Sequence, residues 1–121
     1  VPNDFNPLQD IAQKILNKPM YWIDPPIHIN YFNFDSLSNL LESNSFKILL
    51  KESTFPLEIF LLMGNNYLDD DVIGKKKHIE RMQFEKNLIE SKKNDLKRNI
   101  YKHFADVGIG RSQIIYAQIQ K

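Results

Sequence analysis

Apolar residues first recur with helical spacing near the start of the chain, at Leu8, Ile11, Ala12, Ile15 and Leu16. The intervals i, i+3, i+4, i+7 and i+8 place these side chains on one stripe, which predicts an amphipathic helix over about 7–17. One side of this helix would face a core, and the other side would face solvent.

A second helix is predicted from Asp35, because its side chain suits an N-cap and the leucines that follow share one side of a helix. The polar pair that begins at Asn44 would end it. Between the two helices, Pro25 and Pro26 favour an extended backbone. We therefore interpret segment 20–29 as a structured loop.

Two segments have the composition of β-strands. Segment 46–54 begins with an almost continuous apolar run, which predicts a strand covered on both faces at its start, with its polar end 51–54 leaving the core. Segment 113–120 is rich in isoleucine and predicts a second, C-terminal strand. Because helices and strands occur together, the predicted fold class is α/β.

A highly charged region of about 68–107 separates the two predicted strands and has the pattern of a helical insertion. A break is expected near 91–94, where Ser91 or Asn94 could cap a second helix. The expected buried stripe of that second helix consists of Leu96, Ile100, Phe104 and Val107.

Length and charge narrow the functional classes. The 121 residues, of which 42% are hydrophobic, suit a single domain or a fragment of one. With 16 basic and 15 acidic side chains, the formal net charge of +1 creates no field that would indicate a nucleic-acid partner. We therefore expect no nucleic-acid binding.

The chain contains no cysteine, which excludes disulfides, thiolate metal sites and cysteine nucleophiles. The longest apolar run, at 59–63, is far shorter than the ~20 residues of a membrane-spanning helix. Residues 1–4 carry no secretory signal. We expect a cytoplasmic protein without membrane association, and the start at Val1 rather than at methionine suggests a piece of a longer polypeptide.

The glycines do not form a cofactor-binding turn. The only close pair, Gly108 and Gly110, follows a predicted helix and precedes a strand, the reverse of the order in nucleotide-binding folds. His78 lies among lysines, which oppose a metal ion, and His103 is expected to be a partly exposed helix side chain. The sequence thus predicts neither cofactor-binding nor metal-binding residues.

His28 is the strongest candidate for a chemical role among the three histidines. Two prolines stiffen the loop before it, and Asn30 and Tyr31 follow it. Its imidazole could act as a general base or orient a substrate. Alternatively, it could hydrogen-bond the loop to the core. Both interpretations stay open, whereas Arg111 is expected to be an ordinary surface cation rather than an anion contact.

Several segments, taken in order, resemble class I S-adenosylmethionine-dependent methyltransferases. The segments that carry the resemblance are 1–9, 26–32, 45–48, 55–64 and 108–111. The resemblance implies the C-terminal half of a Rossmann-like methyltransferase sheet with packed helices. In it, Val1 would end strand five, 46–54 would be strand six, and 113–120 would be strand seven, antiparallel between them.

The same resemblance implies that cofactor binding and acceptor binding belong to different halves of the enzyme. The glycine-rich turn and the acidic residue that hold S-adenosylmethionine belong to an N-terminal half that this chain lacks, so that half would be its partner. The chain would form the substrate-side portion, inactive alone, and would bind a small-molecule or other unknown acceptor.

The resemblance also implies roles for individual residues. His28 would be the catalytic base or orienting residue. The acceptor would contact Asn3, Asp4, Asn30, Tyr31 and Tyr67. Tyr21, Trp22 and Phe55 could wall the pocket, although aromatic residues in this number also suit a core.

A noncatalytic interaction or dimerisation module is the alternative function. A strand-five stub would leave a sheet edge exposed, and such an edge is prone to pair with a second copy of the chain. This alternative predicts a homodimer.

Overall fold

A computed structural model describes residues 1–121 and contains five helices and two strands. In chain order the elements are α1 (Pro7–Ile15), α2 (Phe34–Ser43), β1 (Phe46–Ser53), α3 (Glu58–Leu62), α4 (Asp71–Glu90), α5 (Asn94–Asp106) and β2 (Gln113–Ile119). The architecture is therefore mixed α/β, as predicted.

The two predicted strands are both present and form a two-stranded antiparallel sheet. Their register runs from Phe46 opposite Ile119 to Ser53 opposite Gln113, with an irregularity between Ile48 and Leu50. A bulge of this kind bends the strand that carries the additional residue.

The N-terminal segment pairs with the start of β2. Pro2 forms an antiparallel bridge with Ser112, and the backbone N–H of Gln113 donates to the carbonyl of Val1 at 2.8 Å. The Ser112 carbonyl accepts from Thr54 on the other side at 3.0 Å. Because alternate residues of a strand direct their backbone groups to opposite edges, the start of β2 lies between the N-terminal segment and β1 and is antiparallel to both.

The first two helices follow the predictions closely. In α1, Asn6 and Gln9 form a reciprocal capping box, and the helix confirms the one predicted over 7–17. Helix α2 is capped two residues earlier than expected, by Asn33 rather than Asp35. The Asn33 side chain accepts from the backbone N–H of Ser36 at 2.8 Å, so Asp35 lies within the first turn.

The burial of β1 is opposite to the prediction. Leu49 near its start is 57% exposed, whereas Glu52 and Ser53 at its polar end are buried. Both polar side chains have partners, because Arg98 donates to Glu52 at 2.7 Å and the Ser53 hydroxyl donates to a carbonyl of α5 at 3.3 Å. Helix α5 thus covers the end of the strand that was expected to leave the core.

The charged insertion consists of α4 and α5, with the predicted break between them. Asp70 caps α4, while Lys93 occupies the cap position of α5, so neither Ser91 nor Asn94 caps it. The buried residues of α5 are Tyr101 and Ala105. The prediction that Leu96, Ile100, Phe104 and Val107 form the buried stripe was therefore wrong. The buried face is shifted by one residue along the sequence, to Tyr101 and Ala105.

Polar side chains form much of the buried interior. The buried polar and charged residues are Asn3, Asp4, Asn6, Gln9, Ser38, Glu52, Ser53, Glu58 and Gln113. Asn3 donates from its amide to the carbonyls of Gly108 at 2.9 Å and Gly110 at 3.1 Å. Gln113 donates to the carbonyls of Pro2 at 3.0 Å and Phe32 at 2.9 Å. These bonds connect the N-terminal segment to the segment before β2 and to the loop before α2.

None of the helices combines the length and the apolar composition required to cross a membrane.

Gly110→Ala should destabilise the protein by about 3 kcal/mol or more. Its φ is +125°, and an added Cβ would lie 2.5 Å from the Cβ of Ser53. Gly64→Ala is the matched control, because its φ of +88° is also positive but nothing lies within 4 Å of the added atom. Only about 1 kcal/mol should be lost there. Urea denaturation of both variants measures the difference, and equal losses would show that backbone strain alone matters at Gly110.

Candidate functional site

A cavity of about 270 Å³ opens between the N-terminal segment, the 21–28 loop, the start of α3 and the loop before α4. We call it the central cavity. Its ionisable and aromatic lining residues are Asp4, Tyr21, Trp22, Asp24, His28, Glu58, Tyr67 and Arg111. A cavity with a few convergent polar groups among aromatic walls is typical of a small-molecule site.

Three of the six residues expected to form the site lie on the central cavity, namely Asp4, His28 and Tyr67. They come from three segments that are distant in sequence. The other three do not line it. Asn3 is fully buried and is committed to the carbonyls of Gly108 and Gly110, and Asn30 is exposed to solvent.

Tyr31 holds the histidine loop in shape instead of lining the cavity. Its hydroxyl accepts from the backbone N–H of Asp24 at 3.0 Å and donates to the carbonyl of His28 at 3.0 Å. The imidazole of His28 is exposed and forms no hydrogen bond within the protein. Since Tyr31 closes the loop, the His28 ring is available for a ligand.

Asp4 is held firmly at the base of the N-terminal segment and is 3% exposed. Its backbone N–H donates to the carbonyl of Phe32 at 2.8 Å, and its Oδ1 accepts from the Gln9 side chain at 3.2 Å. The second carboxylate oxygen accepts no hydrogen bond from the protein. Asp4 therefore presents one fixed acceptor to the cavity that it lines.

Glu58 is the functional candidate that the sequence analysis missed. It is the first residue of α3, is 2% exposed, and its Oε2 is buried without a hydrogen-bond partner. Burial raises the pKa of this carboxyl, and the charge of Asp4 acts in the same direction. Its own backbone N–H and Arg111 act against that rise. A single acid inside the apolar stretch 55–63 was the available sequence signal.

Two aromatic residues beside Glu58 also carry unpaired polar atoms. The Tyr21 hydroxyl and the Trp22 indole nitrogen are buried without hydrogen-bond partners, and their rings contact edge to face at 5.2 Å. Burial, followed by the charge of Glu58, raises the pKa of the Tyr21 and Tyr67 hydroxyls above the ordinary tyrosine range. Both phenols therefore remain protonated donors at physiological pH.

Arg111 is a surface cation without an ion pair, as expected, but it also lies at the central cavity. Its guanidinium is exposed, forms no salt bridge, and lines the central cavity. It also lines a second cavity of about 270 Å³ that contains His78 and Arg81. The central cavity thus combines acidic groups with one exposed cation at its border.

No group of three or more histidine, cysteine or acidic side chains is placed to hold a metal ion. Gly108 and Gly110 lie between α5 and β2 with positive φ values, and their carbonyls accept from Asn3. This pair therefore forms a helix end and a turn, as the sequence predicts. The central cavity can bind and orient a small polar molecule through a carboxylate pair, phenol donors and an imidazole.

Comparison with known protein families, with curated proteins and with solved structures finds no match to this chain.

Glu58→Gln should stabilise the protein at neutral pH but not at acid pH. The folded-state pKa of Glu58 is raised, so ionisation costs the folded state stability as pH increases from about 4.3, the ordinary glutamate pKa, through the raised value. Glutamine resembles the protonated acid and avoids this loss, which is about 1.4 kcal/mol for each unit of pKa shift.

Urea denaturation at pH 4 and pH 7 measures this effect. The variant and the parent should be similar at pH 4, and the variant should be more stable at pH 7. Glu42→Gln, at an exposed position of α2, removes the same charge without a burial effect and should show no such pH dependence. A variant that is less stable than the parent at pH 7 would show that Glu58 makes a favourable contact when ionised.

Proposed function

We propose that this chain is the substrate-side portion of an S-adenosylmethionine-dependent methyltransferase and that the central cavity holds the methyl acceptor. The order of the paired segments carries this proposal. The start of β2 lies between residues 1–3 and β1 and is antiparallel to both. That arrangement supports the five-seven-six strand order that the sequence resemblance implies.

The free edge of β2 supports an N-terminal half as the partner. Pro2 pairs with Ser112, so a strand entering Val1 from upstream would run antiparallel along the remainder of β2. Backbone groups of alternate residues beyond Gln113 point to that edge. The strand contains no charged residue and no proline, which are the usual protections of a free sheet edge. Its composition is that of a strand with neighbours on both sides.

The glycine pair of this chain does not form the turn that would hold S-adenosylmethionine. The only glycine pair is packed against Ser53 and bonded to Asn3, so it cannot receive a nucleotide-like ligand. The cofactor, which supplies an electrophilic methyl group, is therefore assigned to the N-terminal half. This chain would contribute acceptor binding and alignment, which are the main protein contributions to a displacement reaction.

Within this proposal, His28 accepts a proton from the acceptor. Its imidazole lines the cavity and has no partner in the protein, while Tyr31 fixes the backbone that carries it. Asp4 and Glu58 bind and orient the acceptor from the buried end. A general base in such a position typically contributes about 10²- to 10⁴-fold in rate.

A noncatalytic dimerisation module is the second candidate, and the same free edge of β2 favours it. Two copies could pair their β2 edges across a two-fold axis. Light scattering distinguishes the two candidates. A concentration-dependent dimer that Ile115→Pro abolishes would favour the module, whereas a monomer that binds the N-terminal half would favour the methyltransferase.

His28→Ala should lower the turnover number of the enzyme that contains both halves by about 100-fold. The dissociation constant for S-adenosylmethionine should change by less than about twofold, because His28 lies on the acceptor side. Transfer of a radiolabelled methyl group and calorimetric titration of the cofactor measure the two quantities. Ile29→Ala, at an exposed neighbouring position outside the cavity, is the matched control. Full turnover in a correctly folded His28→Ala protein would remove His28 from the mechanism.

A further inference from the structure

We propose that the central cavity is an ammonium-binding site and that its ligand is a small molecule bearing an aliphatic amine. The identification of this ligand with the methyl acceptor rests on the proposed function. The charges, the unpaired atoms and the aromatic walls of the cavity support the binding site itself.

The balance of charge in the cavity favours a cation. Three carboxyl groups line it, those of Asp4, Asp24 and Glu58, whereas Arg111 is the only permanent cation. None of the three carboxyls forms a salt bridge within the protein. Buried acids are usually paired, because an isolated charge loses its hydration on burial. A bound ammonium group would supply the missing counter-charge for Asp4 and Glu58.

The unpaired carboxylate oxygens of the cavity can accept hydrogen bonds from a ligand. Glu58 Oε2 has no partner, and the second oxygen of Asp4 accepts nothing from the protein. Leaving a buried polar group unpaired costs about 1–3 kcal/mol. An ammonium group carries several N–H donors, and Asp4 and Glu58 line the same cavity, so such a group can donate to these carboxylates. An ether, a ketone or an aromatic ring offers them no donor.

Aromatic side chains complete the site. Tyr21, Trp22 and Tyr67 line the same cavity, and the faces of such rings attract cations. The Tyr21 hydroxyl and the Trp22 indole N–H are themselves unpaired donors. A ligand with a hydroxyl or carbonyl oxygen beside its amine would satisfy them as well. The volume of about 270 Å³ leaves room for a small organic molecule.

Arg111 does not convert the cavity into an anion site. It is exposed, so its field is screened by solvent, and an anion beside it would face Asp4 and Glu58. Burial raises the pKa of Glu58, and the charge of Arg111 opposes part of that rise, in the direction of the ionised carboxylate.

The site can be tested with three probes of similar shape and different charge: cyclohexylamine, cyclohexanol and cyclohexanecarboxylate. Trp22 is the only tryptophan of the chain and lines the cavity, so its fluorescence reports on binding directly. At pH 7 the amine should give a saturable change. The alcohol should bind at least about tenfold more weakly, and the carboxylate should bind more weakly still.

Glu58→Gln tests whether the amine binds where we infer. It preserves the shape of the side chain and should weaken cyclohexylamine binding by about tenfold or more, with little effect on cyclohexanol. Glu42→Gln, on the surface of α2, removes the same charge elsewhere and should leave all three affinities unchanged. Equal affinity for amine and alcohol, tighter binding of the carboxylate, or an amine affinity insensitive to Glu58→Gln would each overturn the inference.

The outcome of these binding measurements does not depend on whether the proposed function is correct. They need neither a methyl donor nor an N-terminal half. Selective amine binding without methyl transfer in the two-part enzyme would retain the site and reject the methyltransferase. Methyl transfer to an acceptor without an amine, with no selective binding of cyclohexylamine, would reject the ammonium site and retain the methyltransferase.

Discussion

The structure depends on hydrogen bonds that two buried amide side chains make to backbone carbonyls. The Asn3 amide donates hydrogen bonds to the segment before β2. The Gln113 amide donates to the N-terminal segment and to the loop before α2. The bond from Asn3 to Gly108 joins residues 105 positions apart in sequence, and the bond from Gln113 to Pro2 joins residues 111 positions apart. Because an unpaired buried carbonyl is costly, these bonds select one relative position of the segments. Apolar packing, which is less directional, would not fix that position as tightly.

The central cavity is a consequence of that connection. Asp4 follows Asn3 directly, and Arg111 precedes β2, so fixing the two segments also fixes an acid and a base on the cavity wall. The sequence and its resemblance to methyltransferases indicated Asp4 and His28, because unusual polar residues stand out beside prolines and turns. Glu58 was missed because its importance arises from burial and from the lack of a partner, and both are properties of the folded chain. The same limit applied to Arg111, whose position is set by β2.

Local patterns predicted the existence of the elements better than the faces that they bury. The capping box at Asn6 is a short-range signal, so the start of α1 was predictable. For α5, the apolar stripe pointed to Leu96 and its helical neighbours, but the helix packs through Tyr101 and Ala105. The partner decides this face, since the Ser53 hydroxyl bonds the carbonyl of Tyr101 at the end of β1. The apolar pattern within one helix therefore does not predict which of its faces will pack against another element.

Helix α4 has no buried residue over its twenty positions. Its contacts with the remainder of the molecule are side-chain contacts of single residues, such as Lys77 over the ring of Phe60 and Glu85 with the hydroxyl of Tyr101. Segments held by few buried contacts open in local fluctuations that cost less free energy than global unfolding. The backbone of α4 should therefore open locally at a lower cost in free energy than global unfolding.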